Sequence, residues 1–316
     1  MKVLVTGAAG FLGQRIVAAL LDRPAGWPDI TDVIAVDRSP CGIDAARVES
    51  VVGSIEDATF IDTAIDDQVD VIFHLAAVLS GEAEASFDLG FRVNVDATRH
   101  ILERCRTLGH APRLVFASTI AVFGGPLPDV VPEDMALRPQ SSYGTEKAIA
   151  ELLVNEYSRK GFVDGIVCRI PTVTVRPGQP NSALSSFVSG IIREPLAGLP
   201  SLCPVPLDTR LWVSAPSTVT RNLLHAARVQ AADLGAVRSV ALPGLTTTPA
   251  DMLDSLERHA GSGARALVRC DVDDAVSRIV CGWASGFDMN RALALGFAGD
   301  QHIDAIVGEF VGHARA

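Results

Sequence analysis

The chain has 316 residues, 48% hydrophobic and 20% charged, which excludes a disordered chain and suits one large α/β domain with or without a smaller lobe. Its formal net charge is -10, from 27 basic and 37 acidic residues, and no lysine or arginine block stands out, so nucleic acid is not expected as a partner. Six cysteines show no CxxC pair and no metal spacing with the seven histidines, and no apolar run reaches the length of a membrane span. These features predict reduced thiols, no metal, no membrane partner and a cytoplasmic location. The apolar stretch after Lys2 is broken by three glycines and Gln14-Arg15, so it does not read as a signal peptide.

The first strand is Lys2–Val5, and Gln14–Leu21 is a helix. Between them lies Thr6-Gly7-Ala8-Ala9-Gly10-Phe11-Leu12-Gly13. Its glycines permit a tight turn and close approach to a pyrophosphate, and the helix behind it points free N–H groups at the anion. A second strand, Val33–Val36, ends in Asp37. A carboxylate there accepts from a ribose 2′-hydroxyl and repels a 2′-phosphate, which predicts NAD rather than NADP, with Arg38 as a solvated loop charge.

Ser50–Gly53 is the third strand, Ala58–Ile65 a helix, and Val69–Ala77 a buried strand with its exit loop. His74 in that strand reads as a structural hydrogen-bonding residue. Phe91–Leu108 is a long amphipathic helix with Val93, Ala97, Ile101 and Leu102 on one face. Leu114–Ser118 is the next strand, Tyr143–Arg159 a helix capped at Ser141-Ser142, and Gly165–Ile170 a sixth strand. This alternation predicts an α/β fold with a doubly wound parallel sheet (Rossmann) and a smaller C-terminal substrate lobe.

Beyond Pro171 the texture changes: residues 176–216 hold seven prolines and many serines, with a helical pattern at Phe187–Ile192. Leu211–Val213 and a helix Ser217–Val229 are predicted to return to the first domain. A further strand at Val240–Gly244, a helix at Pro249–His259 and a closing helix at Asp300–His313 follow. The expected division is a nucleotide-binding domain over 1–175, with returning segments near 210–230, and mainly a substrate lobe over 176–316.

Tyr143 and Lys147, four apart, share one helix face. An ammonium beside a phenol stabilises the phenolate, so the pair can take a hydroxyl proton while hydride leaves the same carbon. Lys147 also suits hydrogen bonds to cofactor ribose hydroxyls. YxxxK alone is an ordinary surface pattern; its weight comes from the glycine motif upstream. The strand end Ser118-Thr119 lies where open α/β sheets bind ligands. Thr119 is favoured for the reacting oxygen, with Ser118 a second candidate.

The glycine motif, His74-Leu75-Ala76-Ala77, Ser118-Thr119, Tyr143/Lys147 and Arg169-Ile170-Pro171-Thr172 together resemble the extended short-chain dehydrogenases/reductases, a group that includes NAD-dependent nucleotide-sugar epimerases and dehydratases. The resemblance implies that Gly7, Gly10, Phe11 and Leu12 surround the pyrophosphate and Asp37 holds the adenosine ribose. Ser54 and Ile55 flank the adenine, Leu75, Ala76 and Ala77 line the cofactor, Asn94 sits behind the site, and Pro171 and Val173 approach the nicotinamide. Ser54 and Phe123 depart from the acidic residue and tyrosine often found there. It also implies a homodimer paired through the helices Phe91–Leu108 and Tyr143–Arg159.

The runs Gln140–Ala148, Arg176–Asn181 and Ser185–Leu196 are similar to dehydrogenases of four-carbon sugar acids, which oxidise the C2 hydroxyl with NAD+. The substrate implied by that likeness is D-erythronate. A sugar acid calls for a carboxylate anchor. Arg176, Arg193 and Arg210 are candidates, with Arg193 favoured, and Ser80 and Asn181 are candidates for carboxylate or hydroxyl oxygens. Two other readings are a nucleotide-sugar epimerase or dehydratase and a non-catalytic dinucleotide-sensing module.

Overall fold

Aliphatic runs bounded by glycine, aspartate and proline form the central strands. The computed structural model describes residues 1–178 and 183–315. The chain divides into two units: Met1–Thr119, Ser141–Arg169 and Thr220–Val240 form the first, and Ile120–Gln140, Ile170–Val219 and Ala241–Ala316 the second.

The first unit is built on β1 (Lys2–Thr6), β2 (Asp32–Asp37), β3 (Val48–Val52), β4 (Val69–His74), β5 (Arg113–Thr119) and β6 (Asp164–Ile170). Strand Ser239–Ala241 completes a seven-stranded sheet, in the order Ser239–Ala241, β6, β5, β4, β1, β2, β3. β1 pairs in parallel with β2 and β4, β2 with β3, and β4 with β5. The order reverses at β1, so a ligand crevice opens at the carboxyl ends of β1 and β4.

Helices α1 (Phe11–Leu21), α2 (Ala58–Ala64), α3 (Ser80–Ala85), α4 (Phe87–Gly90), α5 (Ala97–Leu108) and α6 (Ser142–Arg159) belong to this unit. Alternate strand residues Leu4, Ile34, Ile72, Leu114 and Phe116 pack with Ile61, Ile101, Leu102, Ala150 and Val154 from α2, α5 and α6. Their neighbours Val3, Val5, Val33, Phe73 and Val115 are also buried, as are Ile16, Val17 and Leu20 of α1. Strands buried on both faces are what a doubly wound sheet requires.

The predicted helix Phe91–Leu108 is α-helical only from Ala97; Phe91–Asp96 is a π-helical segment. The wider turn carries an extra residue, and Asn94 within it is only 1% exposed. Helices α3 and α4, with no expected counterpart, precede it.

In the second unit, Leu211–Ser214 pairs in parallel with Thr172–Val173 and antiparallel with Leu245–Thr247. This corrects the predicted return of that strand to the first domain: the chain re-enters the first unit only at Thr220. Short aliphatic strands carry no label for the sheet they join, and backbone pairing decided it. Helix α7 (Ser186–Leu196) packs Val188, Ile191 and Ile192 with Met252, Leu256, Ile306 and Val307. Among the described residues, no helix is long and apolar enough to cross a membrane, and no three His, Cys, Asp or Glu residues are grouped to hold a metal.

Candidate active site

The first site element is the turn between β1 and α1. Gly7 has φ +73°, and a Cβ there would lie 2.7 Å from the Ala76 nitrogen. A Cβ on Gly13 would lie 2.0 Å from the Gly7 carbonyl oxygen. Glycine is therefore required where the turn meets the β4 exit loop and its own helix. Gly10 is the N-cap of α1; no side chain caps this helix and its first turn has no acidic residue. A helix start left without a counter-charge favours an anion. Phe11 and Leu12 form that first turn, and the Arg15 guanidinium stands 5.1 Å from the Phe11 ring centroid.

Asp37 ends β2 beside this turn. Its Oδ2 accepts from the Ala9 N–H at 3.1 Å and its Oδ1 from the Ser39 N–H at 3.2 Å. The uncapped helix, the glycine cradle and the adjacent carboxylate fit a dinucleotide: pyrophosphate on the N–H groups, ribose hydroxyls on Asp37. Ser54 exchanges hydrogen bonds with Glu56, and the Ile55 side chain is part of the core over α2 and α5. Any adenine contact of Ile55 is therefore made by its backbone or side-chain edge.

Leu75, Ala76 and Ala77 follow β4 and are half-buried. Behind them runs a continuous polar chain. The Ala76 N–H donates to Thr6 Oγ1 at 3.3 Å, Thr6 Oγ1 lies 2.7 Å from His74 Nδ1, and His74 Nε2 lies 3.0 Å from Thr98 Oγ1. Thr98 Oγ1 donates to the Asn94 carbonyl at 2.8 Å, so it accepts from His74 Nε2–H. That assigns the neutral Nε2–H tautomer, with Thr6 donating to Nδ1. Burial, with the nearby Lys147 charge, pushes the imidazole down to about 3. His74 is thus the structural residue expected of it.

Asn94 extends the network. Its Oδ1 accepts from the Val78 N–H at 2.9 Å, and its Nδ2 donates to the Val78 carbonyl at 3.0 Å and to Glu146 Oε2 at 2.6 Å. Its expected place behind the site becomes a clamp between the β4 exit loop and α6.

Ser141 caps α6 by accepting from the Gly144 N–H at 3.1 Å. Tyr143 and Lys147 follow on one face, with the ammonium 5.9 Å from the Tyr143 ring centroid. Lys147 Nζ donates to the Ala117 carbonyl at 3.0 Å and sits 4.6 Å from the Phe116 ring centroid. Burial lowers the Lys147 ammonium to about 8. Burial, reinforced by Glu146, pushes the Tyr143 phenol up to about 12. This corrects the expected direction: in the chain alone, loss of hydration and the Glu146 charge both act against the phenolate, and Tyr143 rests as a neutral phenol.

Thr119 is the half-buried last residue of β5. Ser118 is 3% exposed and donates to Glu151 Oε1 at 2.5 Å. Arg169 grips the same carboxylate through Nε and Nη2, the latter at 2.8 Å. Ser118 is therefore tied into the buried Glu151–Arg169 pair, while Thr119 ends the strand half-buried. Glu146 and Glu151 went unnoticed in the sequence. A signal was present for Glu151, which falls on the buried α6 stripe with Lys147, Ala150 and Val154.

Ser80 opens α3 in the first unit. Pro171, Val173 and Arg193 belong to the second unit, and Asn181 lies outside the described residues. Arg193 on α7 donates to the Arg176 carbonyl at 2.8 Å and pairs with Glu194 at 2.6 Å. Arg210 is paired at 3.4 Å with the exposed Asp129. Phe123 packs at 5.6 Å on Phe287, filling its place with an apolar contact.

An uncapped glycine-turn helix, a strand-end carboxylate and a half-buried tyrosine one turn before a buried lysine define a dinucleotide-dependent α/β enzyme class. Residues 3–241 match the model of the NAD-dependent epimerase/dehydratase family, and the chain belongs to that family, with NAD as its cofactor. It is 48% identical to the D-erythronate dehydrogenase of Cupriavidus necator, covering 97% of both chains. It is 42% identical to the D-erythronate dehydrogenase of Haemophilus influenzae, over 98% of this chain and 99% of that one. The crystal structure of a nucleoside-diphosphate-sugar epimerase from Agrobacterium tumefaciens superposes with a TM-score of 0.93, at 38% identity, over 99% of this chain and 94% of that one.

Proposed function

We propose that this chain is an NAD-dependent dehydrogenase that oxidises the C2 hydroxyl of D-erythronate to 2-dehydro-D-erythronate. The observation that carries the reading is full-length likeness to two proteins named for that activity, in a chain that holds half-buried Tyr143 and buried Lys147 one turn apart on α6.

Gly7, Gly10, Phe11 and Leu12 would hold the pyrophosphate of the cofactor, Asp37 the adenosine ribose, and Ser54 and Ile55 the adenine. Leu75, Ala76, Ala77, Pro171 and Val173 would line the remainder, with Asn94 bracing the loop behind it. The bound cofactor supplies a hydride acceptor whose oxidised ring carries positive charge. Lys147 turns its ammonium to ribose hydroxyls and to the phenol. Thr119 holds the reacting hydroxyl, and Tyr143 Oη takes its proton. Burial keeps Tyr143 neutral until positive charge gathers beside it, so the base forms in the loaded site rather than in the empty one.

Ser80 and Asn181 are assigned to substrate oxygens. For the carboxylate, Arg193 is held in a fixed orientation by Glu194 and the Arg176 carbonyl. Nη1 and Nη2 are both engaged there, so a substrate carboxylate would take its place on the guanidinium by exchange with Glu194. The same reading includes a cytoplasmic homodimer paired through α5 and α6. Leu152 on α6, 66% exposed, is an apolar residue for a partner to cover.

The likeness to a solved nucleoside-diphosphate-sugar epimerase favours one alternative, in which hydride is returned to the substrate. The test is incubation of the purified chain with NAD+ and D-erythronate. Accumulation of NADH in step with a 2-keto acid is expected. Interconversion of nucleotide sugars without net NADH would replace the dehydrogenase reading with the epimerase one.

A further inference from the structure

Four charged side chains lie buried along α6 and β6: Glu146 at 0% exposure, Lys147 at 1%, Glu151 at 2% and Arg169 at 7%. They do not pair evenly. Glu151 and Arg169 form a two-pronged ion pair, with three hydrogen bonds from 2.8 to 3.2 Å. Their charges cancel within that contact. Lys147 and Glu146 remain, and their hydrogen bonds go to neutral groups: the ammonium to the Ala117 carbonyl, and the carboxylate to the Asn94 amide.

The setting of Glu146 is specific. Oε2 receives the 2.6 Å hydrogen bond from Asn94, which is itself anchored to Val78. Oε1 is buried and has no hydrogen-bond partner among the described residues. A Cβ on Gly90 would lie 2.2 Å from Oε1, so the carboxylate packs directly on the backbone of α4. A carboxylate excluded from water with one oxygen unsatisfied is costly. A charge so placed acts on its neighbours, among them Lys147 next in sequence and Tyr143 one turn before.

We infer that Glu146 is a positioning residue whose buried negative charge keeps the Lys147 ammonium protonated at the active site. This rests on the functional reading only for the use made of Lys147, not for the electrostatics. The other charges acting on these groups do not replace it. Burial raises the Glu146 carboxyl, the Asn94 hydrogen bond and the Lys147 charge oppose that rise, and Glu84 on α3, which accepts from the Ser142 N–H, adds to it as a like charge. Glu151 also favours the ammonium but is neutralised by Arg169. His74 is neutral in its threonine-bound tautomer and adds no charge near Lys147. Burial lowers the ammonium, and Glu146 is the larger of the two charges that oppose it. The same carboxylate disfavours the Tyr143 phenolate, so its removal moves both groups downward in pH.

The chain has only three lysines, Lys2, Lys147 and Lys160, so Lys147 can be followed directly. Full-length protein carrying 13C-lysine is titrated by NMR, with Lys2→Arg and Lys160→Arg assigning the side-chain resonances. Lys147 is expected to titrate near 8 in the parent protein. In Glu146→Gln, which keeps an acceptor for Asn94, the midpoint falls by about one pH unit, while Glu146→Asp retains most of the parent value. Glu146→Met is made in parallel, so that one folded neutral variant suffices. An unchanged Lys147 midpoint in a folded neutral variant overturns the inference. The readout uses no substrate, so it stands or falls separately from the dehydrogenase assignment. In turnover, the pH profile of kcat/KM moves to lower pH in Glu146→Gln; a merely structural role would lower activity without moving the profile.

Discussion

Ser118 Oγ donates to Glu151 Oε1 at 2.5 Å, and that carboxylate is held from its other side by Arg169. A strand-end hydroxyl is thus part of a buried ionic core, one residue before the hydroxyl assigned to substrate. Ser118→Ala should cost about 1–3 kcal/mol, because a buried carboxylate loses a donor. Denaturant unfolding measures this. The KM for the acid should stay within about threefold, since transition-state binding is not the interaction lost. Unaltered stability with a tenfold higher KM would return Ser118 to the substrate.

Tyr143→Phe removes the phenol oxygen and keeps the ring. It should lower kcat by about 10²–10⁴-fold, the range for loss of a general acid–base group. NAD+ affinity, read by fluorescence titration, should change little. Near-normal turnover would assign the proton transfer elsewhere.

Asp37 accepts from the Ala9 N–H of the glycine turn and from the Ser39 N–H in the loop that follows β2. In the proposed site its remaining acceptor capacity would serve ribose hydroxyls, and its charge would oppose a 2′-phosphate. Asp37→Asn should narrow the preference for NAD+ over NADP+ by about tenfold, equivalent to about 1.4 kcal/mol. The ratio of kcat/KM for the two cofactors is the measurement, and an unchanged ratio would place the discrimination at another residue.

His74 is buried and neutral between two threonines, with its imidazole pushed down to about 3 from 6.5. The unfolded chain binds a proton in this window and the folded chain does not, so stability is full above pH 6.5 and falls with pH towards 3. Between pH 6.5 and about 4.5 the loss from this group is about 2–3 kcal/mol. His74→Gln should show a shallower decline over that range in unfolding experiments at fixed salt. Equal slopes would mean that His74 takes up a proton in the folded state.

The dinucleotide half was readable because its constraints are local. Gly10 and Gly13 answer to the backbone of Gly7 and Ala8 within one turn, Gly7 to its own positive φ as well as to the more distant Leu75–Ala76 backbone, and Tyr143 and Lys147 share a face because a helix repeats every 3.6 residues. The π-helical segment was not readable, since a helix with one inserted residue keeps nearly the same apolar pattern. Strand Leu211–Ser214 was misplaced because strand pairing in the second unit joins residues far apart in sequence.

Sequence alone determined the alternation of strands and helices, the glycine turn and the Tyr-Lys pair, all set by short-range sterics and helical periodicity. Tertiary structure alone decided the electrical state of the site. The neutral Tyr143, the lowered Lys147 and the uneven pairing of Glu146 and Glu151 follow from exclusion of water and from contacts with Asn94 and Arg169. Solvation and charge pairing depend on three-dimensional surroundings, which residue order specifies only through the completed fold.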